Sequence, residues 1–304
     1  SVSLEVSSHA LDQNRLGDLK FLVSGFTNLS QDHLDYHGSI ENYLNSKAKL
    51  FQQGVSEKFV YIDSPESTQI VGASNIESFS IGTNDDNDVR YKEIDEQILK
   101  FTIDSNEVEC QTQLSGPKFI ENFLLAFSMA FYSNLFKLED LLQKSKYVVN
   151  PPGRFEEISN NNKTVIIDYA HTPEALECTL KELNNIHNEP IWCLFGCGGN
   201  RDKDKRPLMG KIAQKYSNHV VLTNDNPRDE DEMDIINDIL SEIKEMEKIS
   251  INLDRKDAIE SSILEMERNH IKGVLLIAGK GHENYQEIND NLYELNDRNI
   301  VNSL

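Results

Sequence analysis

From about Thr164 onward, short apolar runs alternate with longer segments in which apolar residues recur every three or four positions. The runs "TVIID", "IWCLF", "HVVLT", "ISINL" and "GVLLIAG" have the length of buried strands, and residues 173–186, 207–216, 233–246 and 256–267 between them carry helical periodicity. Strands alternating with helices predict a parallel, doubly wound α/β sheet. Such sheets bind ligands at the carboxyl ends of their strands. Four polar or glycine-rich stretches follow strands there: "DYAHTP", "GCGGNRDKDKRP", "NDNPRDED" and "GKGHENYQ".

The first half is less regular. A strand-like "SLEVSS" precedes the apolar "FLVSGFTNLS", and residues 40–51 read as a helix after the polar turn "DHLDYHGS". Residues 63–109 read as short strands joined by turns such as "NDDND", and 119–136 and 138–146 as helices. In "VVNPPGRFE" two prolines stop any helix and push their predecessors to extended conformations, which marks a boundary. Two domains are expected, residues 1–150 and 151–304.

Composition narrows the function classes. With 304 residues, 38% of them hydrophobic, the chain can bury a sizeable core. Thirty Lys plus Arg against 51 Asp plus Glu give a formal charge of −21, which repels nucleic acid and anionic membranes at long range. Neither is expected as a partner, so an anionic ligand must be held by local donors. No apolar run approaches the ~20 residues of a membrane span, no signal peptide is present, and a cytoplasmic protein is expected. Of the four cysteines, Cys110, Cys178, Cys193 and Cys197, only the last two lie close, as "CLFGC", and no further Cys or His pair completes a zinc site. The chain begins at Ser1 inside what reads as an element, so the later part of a longer protein is expected.

Each cluster of candidate chemistry has two readings. Glu5, on the expected strand, together with Asp32, His33, Asp35, His37 and the helical Lys47, would offer oxygen and nitrogen ligands to a divalent ion. Alternatively, Ser30 or Asp32 caps a helix and the histidines are surface groups. Gly196, Gly198 and Gly199 with the following basic residues would let a backbone approach an anion at a helix start, or would form an ordinary turn with solvated lysines. Neither this loop nor "AGKGHE" matches G-x-x-x-x-G-K-[ST], and no phosphate loop occurs in the 304 residues. Arg154, Asp168 and His171 stand where a nucleotide would lie, or belong to tight turns before a helix that starts with proline. In "DNPR", Asp225 or Asn226 would cap a turn fixed by Pro227, leaving Arg228 to pair with Asp229 or Glu230. An exposed pair of that kind contributes only ~0 to 1 kcal/mol.

Taken together, "EVSSHAL", "FTNLSQDHLDYHG", "GRFE", "DYAHTPEALE", "FGCGGNRDKDKRPLMG", "DNPRDE", "IINDIL" and "AGKGHENYQ" resemble, in that order, the Mur ligase family. The resemblance is to the branch that adds the third residue of the peptidoglycan stem peptide. It runs nearly end to end, with residues 60–110 and the last few lacking motifs. It implies that residues 1–150 are the later part of a central ATPase domain, whose phosphate loop lies upstream, and that 151–304 are a Rossmann-like C-terminal domain binding the incoming amino acid. The implied chemistry is ATP-dependent amide formation through an acyl phosphate. The implied substrates are UDP-N-acetylmuramoyl dipeptide, meso-diaminopimelate and ATP, with Mg2+ as the metal.

By the same resemblance Glu5 and His33 are magnesium ligands, and Lys47, carbamylated, is an anionic third. His33 and Lys47 are the catalytic pair. Ser7, Gln13 and Arg15 match positions for the UDP substrate, and Asn122, Arg154, Asp168 and His171 match positions for ATP. Arg201, Asp225, Asn226, Pro227, Arg228, Gly279 and Glu283 match positions for diaminopimelate. An arginine at 228 favours diaminopimelate over lysine, which lacks the distal carboxylate. Phe119 departs from the family, which places asparagine there. The remaining alternatives are a lysine-adding Mur ligase, a folylpolyglutamate synthase-like ligase, and an amino-acid-binding module without catalysis. A monomer is expected, and no ligase activity is expected of these 304 residues alone.

Overall fold

The computed structural model describes residues 2–29, 33–94, 98–114, 116–160, 163–269 and 271–304, so Ser30 and Asp32, candidates for a cap and a ligand, lie outside the described residues. The chain divides into two units, Ser1–Val149 and Asn150–Leu304.

The first unit runs α1 (Ser8–Asp12), β1 (Phe21–Phe26), α2 (Leu34–His37), α3 (Ile40–Ala48), β2 (Ser56–Ile62), α4 (Pro65–Ala73), β3 (Glu77–Gly82), β4 (Val89–Ile94), β5 (Ile98–Ile103), β6 (Asn106–Gln111), α5 (Pro117–Tyr132) and α6 (Leu138–Ser145). Its sheet follows chain order from β1 to β6, parallel through β4 and antiparallel from there on. Helix α5 packs on β1 to β4, and Leu124, Ile81, Val89, Leu99 and Ile103 form a core beneath it. Phe119, partly buried, packs against this core.

Two local expectations fail here. The stretch "SLEVSS" forms no strand; Ser7 is instead the N-cap of α1, its Oγ accepting from the Ala10 amide at 3.2 Å. Helix α4 interrupts the region expected to hold only strands and turns. A capping box between Ser64 and Ser67, with Pro65 in the first turn, starts it. The helix from Ile40 forms as expected and tightens to a 3-10 turn at Lys49–Phe51.

The second unit runs β7 (Glu156–Asn160), β8 (Lys163–Asp168), α7 (Pro173–Ile186), β9 (Ile191–Phe195), α8 (Lys205–Tyr216), β10 (His219–Leu222), α9 (Glu232–Leu240), β11 (Ile249–Ile251), α10 (Arg255–Arg268), β12 (Val274–Ala278), β13 (Tyr285–Ile288), β14 (Asn291–Glu294) and α11 (Asp297–Asn302). The main sheet has the order β11-β10-β9-β12-β8-β7, parallel except for β7. Val165, Ile167, Leu194, Val221, Leu275 and Ile277 pack under α10 and α11. The alternate residues Ile166, Cys193, Val220 and Leu276 are equally buried and, by the two-residue pleat, face the opposite side of the sheet. A sheet buried on both faces explains why its strands read as unbroken apolar runs. The edge strand β7, helix α11 and the β13–β14 hairpin were not expected. The hairpin turns on Asn289 and Asp290, both with positive φ, a two-residue turn suited to Asn and Asp.

Candidate functional site

Because β8, β9, β10 and β12 run parallel, the loops that follow them emerge from one edge of the second unit's sheet. Hydrogen bonds tie those loops together: the Gly199 amide donates to the Asn226 carbonyl at 2.9 Å, and the Gly279 amide to the Asp168 carbonyl at 3.1 Å. From beneath, the wholly buried Arg255 donates to the carbonyls of Asn224 (3.3 Å) and Ala278 (3.1 Å) while held by the buried Asp297. Removing one partner from a buried pair of this kind costs ~3 to 5 kcal/mol, because the other charge is stranded.

The "DNPR" loop follows β10 on this edge, beside the glycine loop that follows β9. Arg228 pairs with neither Asp229 nor Glu230. Its Nε donates to Glu287 Oε2 at 2.8 Å and its Nη1 to the Gly199 carbonyl at 2.8 Å, on a backbone with φ +52°. Asp229 accepts from Asn200, and Glu230 accepts from Arg206, which is fully buried and also donates to Asp238 and the Gly198 carbonyl. The basic stretch "RDKDKR" is therefore not simply solvated. Arg206, in the first turn of α8, fastens the glycine loop to α9 while Lys203, on the rim, pairs with Glu230. These contacts hold the Glu230 carboxyl down at about 2.

Gly198 is where two arginine side chains approach. A Cβ there would stand 3.1 Å from Arg228 Nη1 and 3.5 Å from Arg201 Cγ. A Cβ on Gly279, whose φ is +111°, would stand 2.6 Å from Asp225 Oδ2. Lys280, fully buried, donates to Asn226 Oδ1 (3.0 Å) and Glu283 Oε2 (2.9 Å), and Asn226 Nδ2 donates to the same Glu283 oxygen at 3.0 Å. Burial alone would raise the Glu283 carboxyl, but Lys280, Asn226 and Tyr169 together outweigh it and the net direction is down. Of the residues matched to diaminopimelate, Arg201, Asp225, Asn226, Pro227, Arg228, Gly279 and Glu283 thus share one loop cluster. Guanidinium and carboxylate groups stand side by side in it, the donor set a zwitterion needs.

The residues at 153–171 form a second, adjoining layer. Gly153, at φ +69°, lies so close to Gly281 and the His282 amide that any Cβ would collide with backbone. Asp168 is buried: Oδ2 accepts from the Phe155 amide at 2.7 Å, and Oδ1 from the Ala170 amide (2.9 Å) and Thr179 (3.2 Å). Burial pushes its carboxyl up, against the pull of these donors and of Arg154. The carboxylate thereby ties the 153–155 loop to the end of β8. The Arg154 guanidinium lies 4.3 Å from the Tyr169 ring centroid, and the His171 ring meets the Tyr169 carbonyl at 2.8 Å.

In the first unit Glu5 and His33 are exposed, and His33 has a left-handed backbone at φ +56°. The His33 ring and the Lys47 amine both lie against Tyr43, at 6.0 and 5.1 Å from its centroid. Among the described residues, no three His, Cys, Asp or Glu side chains gather as a metal cluster. Gln13 accepts from Arg15 Nε at 2.9 Å and donates to Tyr36 at 3.1 Å, which joins two of the residues matched to the UDP substrate. Asn122 is exposed in the second turn of α5. The cysteines are buried or half-buried thiols, and burial pushes Cys197 up to about 12, so it does not ionise near neutrality.

Sequence reasoning missed Glu287, Lys280, Arg206 and the Arg255–Asp297 pair. Lys280 and Arg206 lie in the stretches "AGKGHE" and "GCGGNRDKDKRP" but were not singled out within them, and for Glu287 the "IND" turn of its hairpin is the signal that could have found it.

An α/β chain with this doubly wound second unit and this loop cluster belongs to the Mur ligase family. Residues 1–130 match the Mur ligase middle domain and residues 153–281 the Mur ligase glutamate ligase domain. Within the family it is similar to UDP-N-acetylmuramoyl-L-alanyl-D-glutamate--2,6-diaminopimelate ligase of Aquifex aeolicus. The two are 40% identical over 307 residues, which cover 100% of this chain and 63% of the relative. The ligase of the same name from Rickettsia bellii is 39% identical over 312 residues, covering 99% and 64%. A solved 2,6-diaminopimelate ligase superposes with a TM-score of 0.61 at 33% identity, covering 99% of this chain and 63% of that one. Folylpolyglutamate synthase of Thermotoga maritima shares the fold, with a TM-score of 0.60 at 19% identity over 84% of this chain and 57% of that one. The chain spans about 63% of the length of the curated relatives it matches.

Proposed function

We propose that the protein is an ATP-dependent amide ligase that adds meso-diaminopimelate to UDP-N-acetylmuramoyl-L-alanyl-D-glutamate in the bacterial cytoplasm, acting as a monomer. The observation that supports this reading is that the Arg228 and Arg201 side chains both approach Gly198 while Asp225 lies against Gly279 in the same loop cluster. Diaminopimelate has two ammonium and two carboxylate groups, and a site with both signs of charge matches it. Arg228 Nη2 has no protein acceptor among the described residues, and with Arg201 it is assigned to the distal carboxylate. Asp225 and Glu283 are assigned to an ammonium, and Asn226, Pro227 and Gly279 shape the wall.

In this reading the D-glutamate carboxylate attacks the ATP γ-phosphate, ADP leaves, and a diaminopimelate amine displaces phosphate from the acyl phosphate to form the amide. Ser7, Gln13 and Arg15 hold the UDP substrate. Asn122, Arg154 and His171 contact ATP, with Asp168 fixing the loop that carries Arg154. Magnesium fits the donor chemistry of Glu5, His33 and Lys47, two of which share the Tyr43 ring, provided Lys47 is a carbamate, since an ammonium would repel the ion. Bound there, the ion would neutralise phosphate charge. Lysine is disfavoured because it has no distal carboxylate for Arg228, and glutamate, which has two carboxylates, is disfavoured because its one amine is consumed in the amide and leaves no ammonium for Asp225 and Glu283.

The test is phosphate release by the full-length protein supplied with ATP, UDP-muramoyl dipeptide and, in turn, diaminopimelate, lysine or glutamate. Release with diaminopimelate alone is expected; equal release with lysine would contradict the assignment of Arg228.

A further inference from the structure

Arg228 is held by an element that sequence reasoning did not anticipate, the β13–β14 hairpin. Three of its residues reach the "DNPR" loop. Gln286 Nε2 donates to the Asp225 carbonyl at 2.7 Å. The Glu287 amide donates to Asn226 Oδ1 at 3.0 Å. The Arg228 amide donates to the Glu287 carbonyl at 3.1 Å, and the Asn289 amide to the Arg228 carbonyl at 3.0 Å. Strand β14 is exposed along its whole length, so the hairpin has little burial of its own. Two-stranded hairpins are marginal alone, and docking on the loop stabilises both partners.

We propose that Glu287 is a positioning residue that aims the Arg228 guanidinium, and so sets the preference for an amino acid with a second carboxylate. A guanidinium is a rigid planar fork, so fixing Nε fixes the plane in which its terminal nitrogens bind. Glu287 Oε2 takes Nε at 2.8 Å and the Gly199 carbonyl takes Nη1, which turns Nη2 to the ligand. Both side chains are mostly shielded, Arg228 at 21% and Glu287 at 29% exposure, so the pair is screened less than a rim contact. The left-handed backbone of Arg228 needs the same support, because a non-glycine residue there persists only when its surroundings over-determine it. Glu287 is assigned no contact with substrate and acts through Arg228.

This inference rests on the diaminopimelate reading above, and kinetics of the full-length protein separate the two. Glu287→Ala is expected to raise the KM for meso-diaminopimelate about tenfold while the KM values for ATP and the UDP dipeptide stay within about twofold. Glu287→Gln keeps an acceptor for Nε and recovers most of the loss. In an Arg228→Ala background Glu287→Ala adds nothing, since the two residues act as one unit. Should Glu287→Ala fold poorly by thermal melting, Glu287→Gln and Glu287→Asp carry the test, the shorter Asp losing what Gln retains. An unchanged KM for diaminopimelate in the folded Glu287 variants, or an undiminished effect without Arg228, overturns the proposal. A wild-type protein that uses no diaminopimelate overturns the underlying reading and this proposal with it.

Discussion

Arg228 shows how a single side chain changes meaning between sequence and structure. Its neighbours in the chain, Asp229 and Glu230, were the obvious partners, yet they bind Asn200 and Arg206, and Arg228 reaches Glu287, 59 positions away. Sequence proximity identified the residue and its loop, while partner choice depended on a hairpin docking that no local pattern encodes. The same holds for Arg206, Arg255 and Lys280, charged residues with no exposure, whose burial is legible only once their partners are placed. An ammonium cannot reproduce bidentate carboxylate binding, so Arg228→Lys is expected to cost ~2 to 5 kcal/mol, about 30-fold or more in kcat/KM for diaminopimelate. A loss under about fivefold would mark Arg228 as an ordinary surface group.

At the scale of elements, the second unit's apolar runs were readable because a sheet covered on both faces leaves little ambiguity of period, and helix α7 falls on Pro173–Ile186 as expected. Helix α4 was missed because its Ser and Thr content resembles a turn, although the Ser64–Ser67 box and Pro65 encode its start. The β13–β14 hairpin is exposed and polar, so its period was weak. Where elements are joined by charge, pH reports on them. Arg206 joins the glycine loop to α9 through Asp238 and to the "DNPR" loop through Glu230, whose carboxyl is depressed from 4.5 to about 2. A depressed acid contributes stability that is present above its unfolded value and lost as pH falls through its folded one. Thermal midpoints of the wild type should therefore fall more steeply than those of Glu230→Gln between about pH 4.5 and 2. Parallel slopes would contradict that contribution.

For the molecule as a whole, a formal charge of −21 coexists with the carboxylate site we propose, and the two are compatible because the cluster's cations are local and partly desolvated. The family motifs were legible along most of the chain, residues 60–110 and the last few excepted, because they are long and ordered, and the division into Ser1–Val149 and Asn150–Leu304 falls at the "NPPG" break. How His33 and Lys47 come to share the Tyr43 ring was not legible, since it depends on the packing of α2 and α3. The central claim is that the loop cluster of the second unit selects an amino acid bearing two carboxylates. Its most direct test is the mass of the product formed by the full-length protein from ATP, UDP-muramoyl dipeptide and an equimolar mixture of meso-diaminopimelate and lysine. The account predicts the dipeptide plus diaminopimelate less one water as the dominant product, and comparable amounts of the lysine adduct would contradict it.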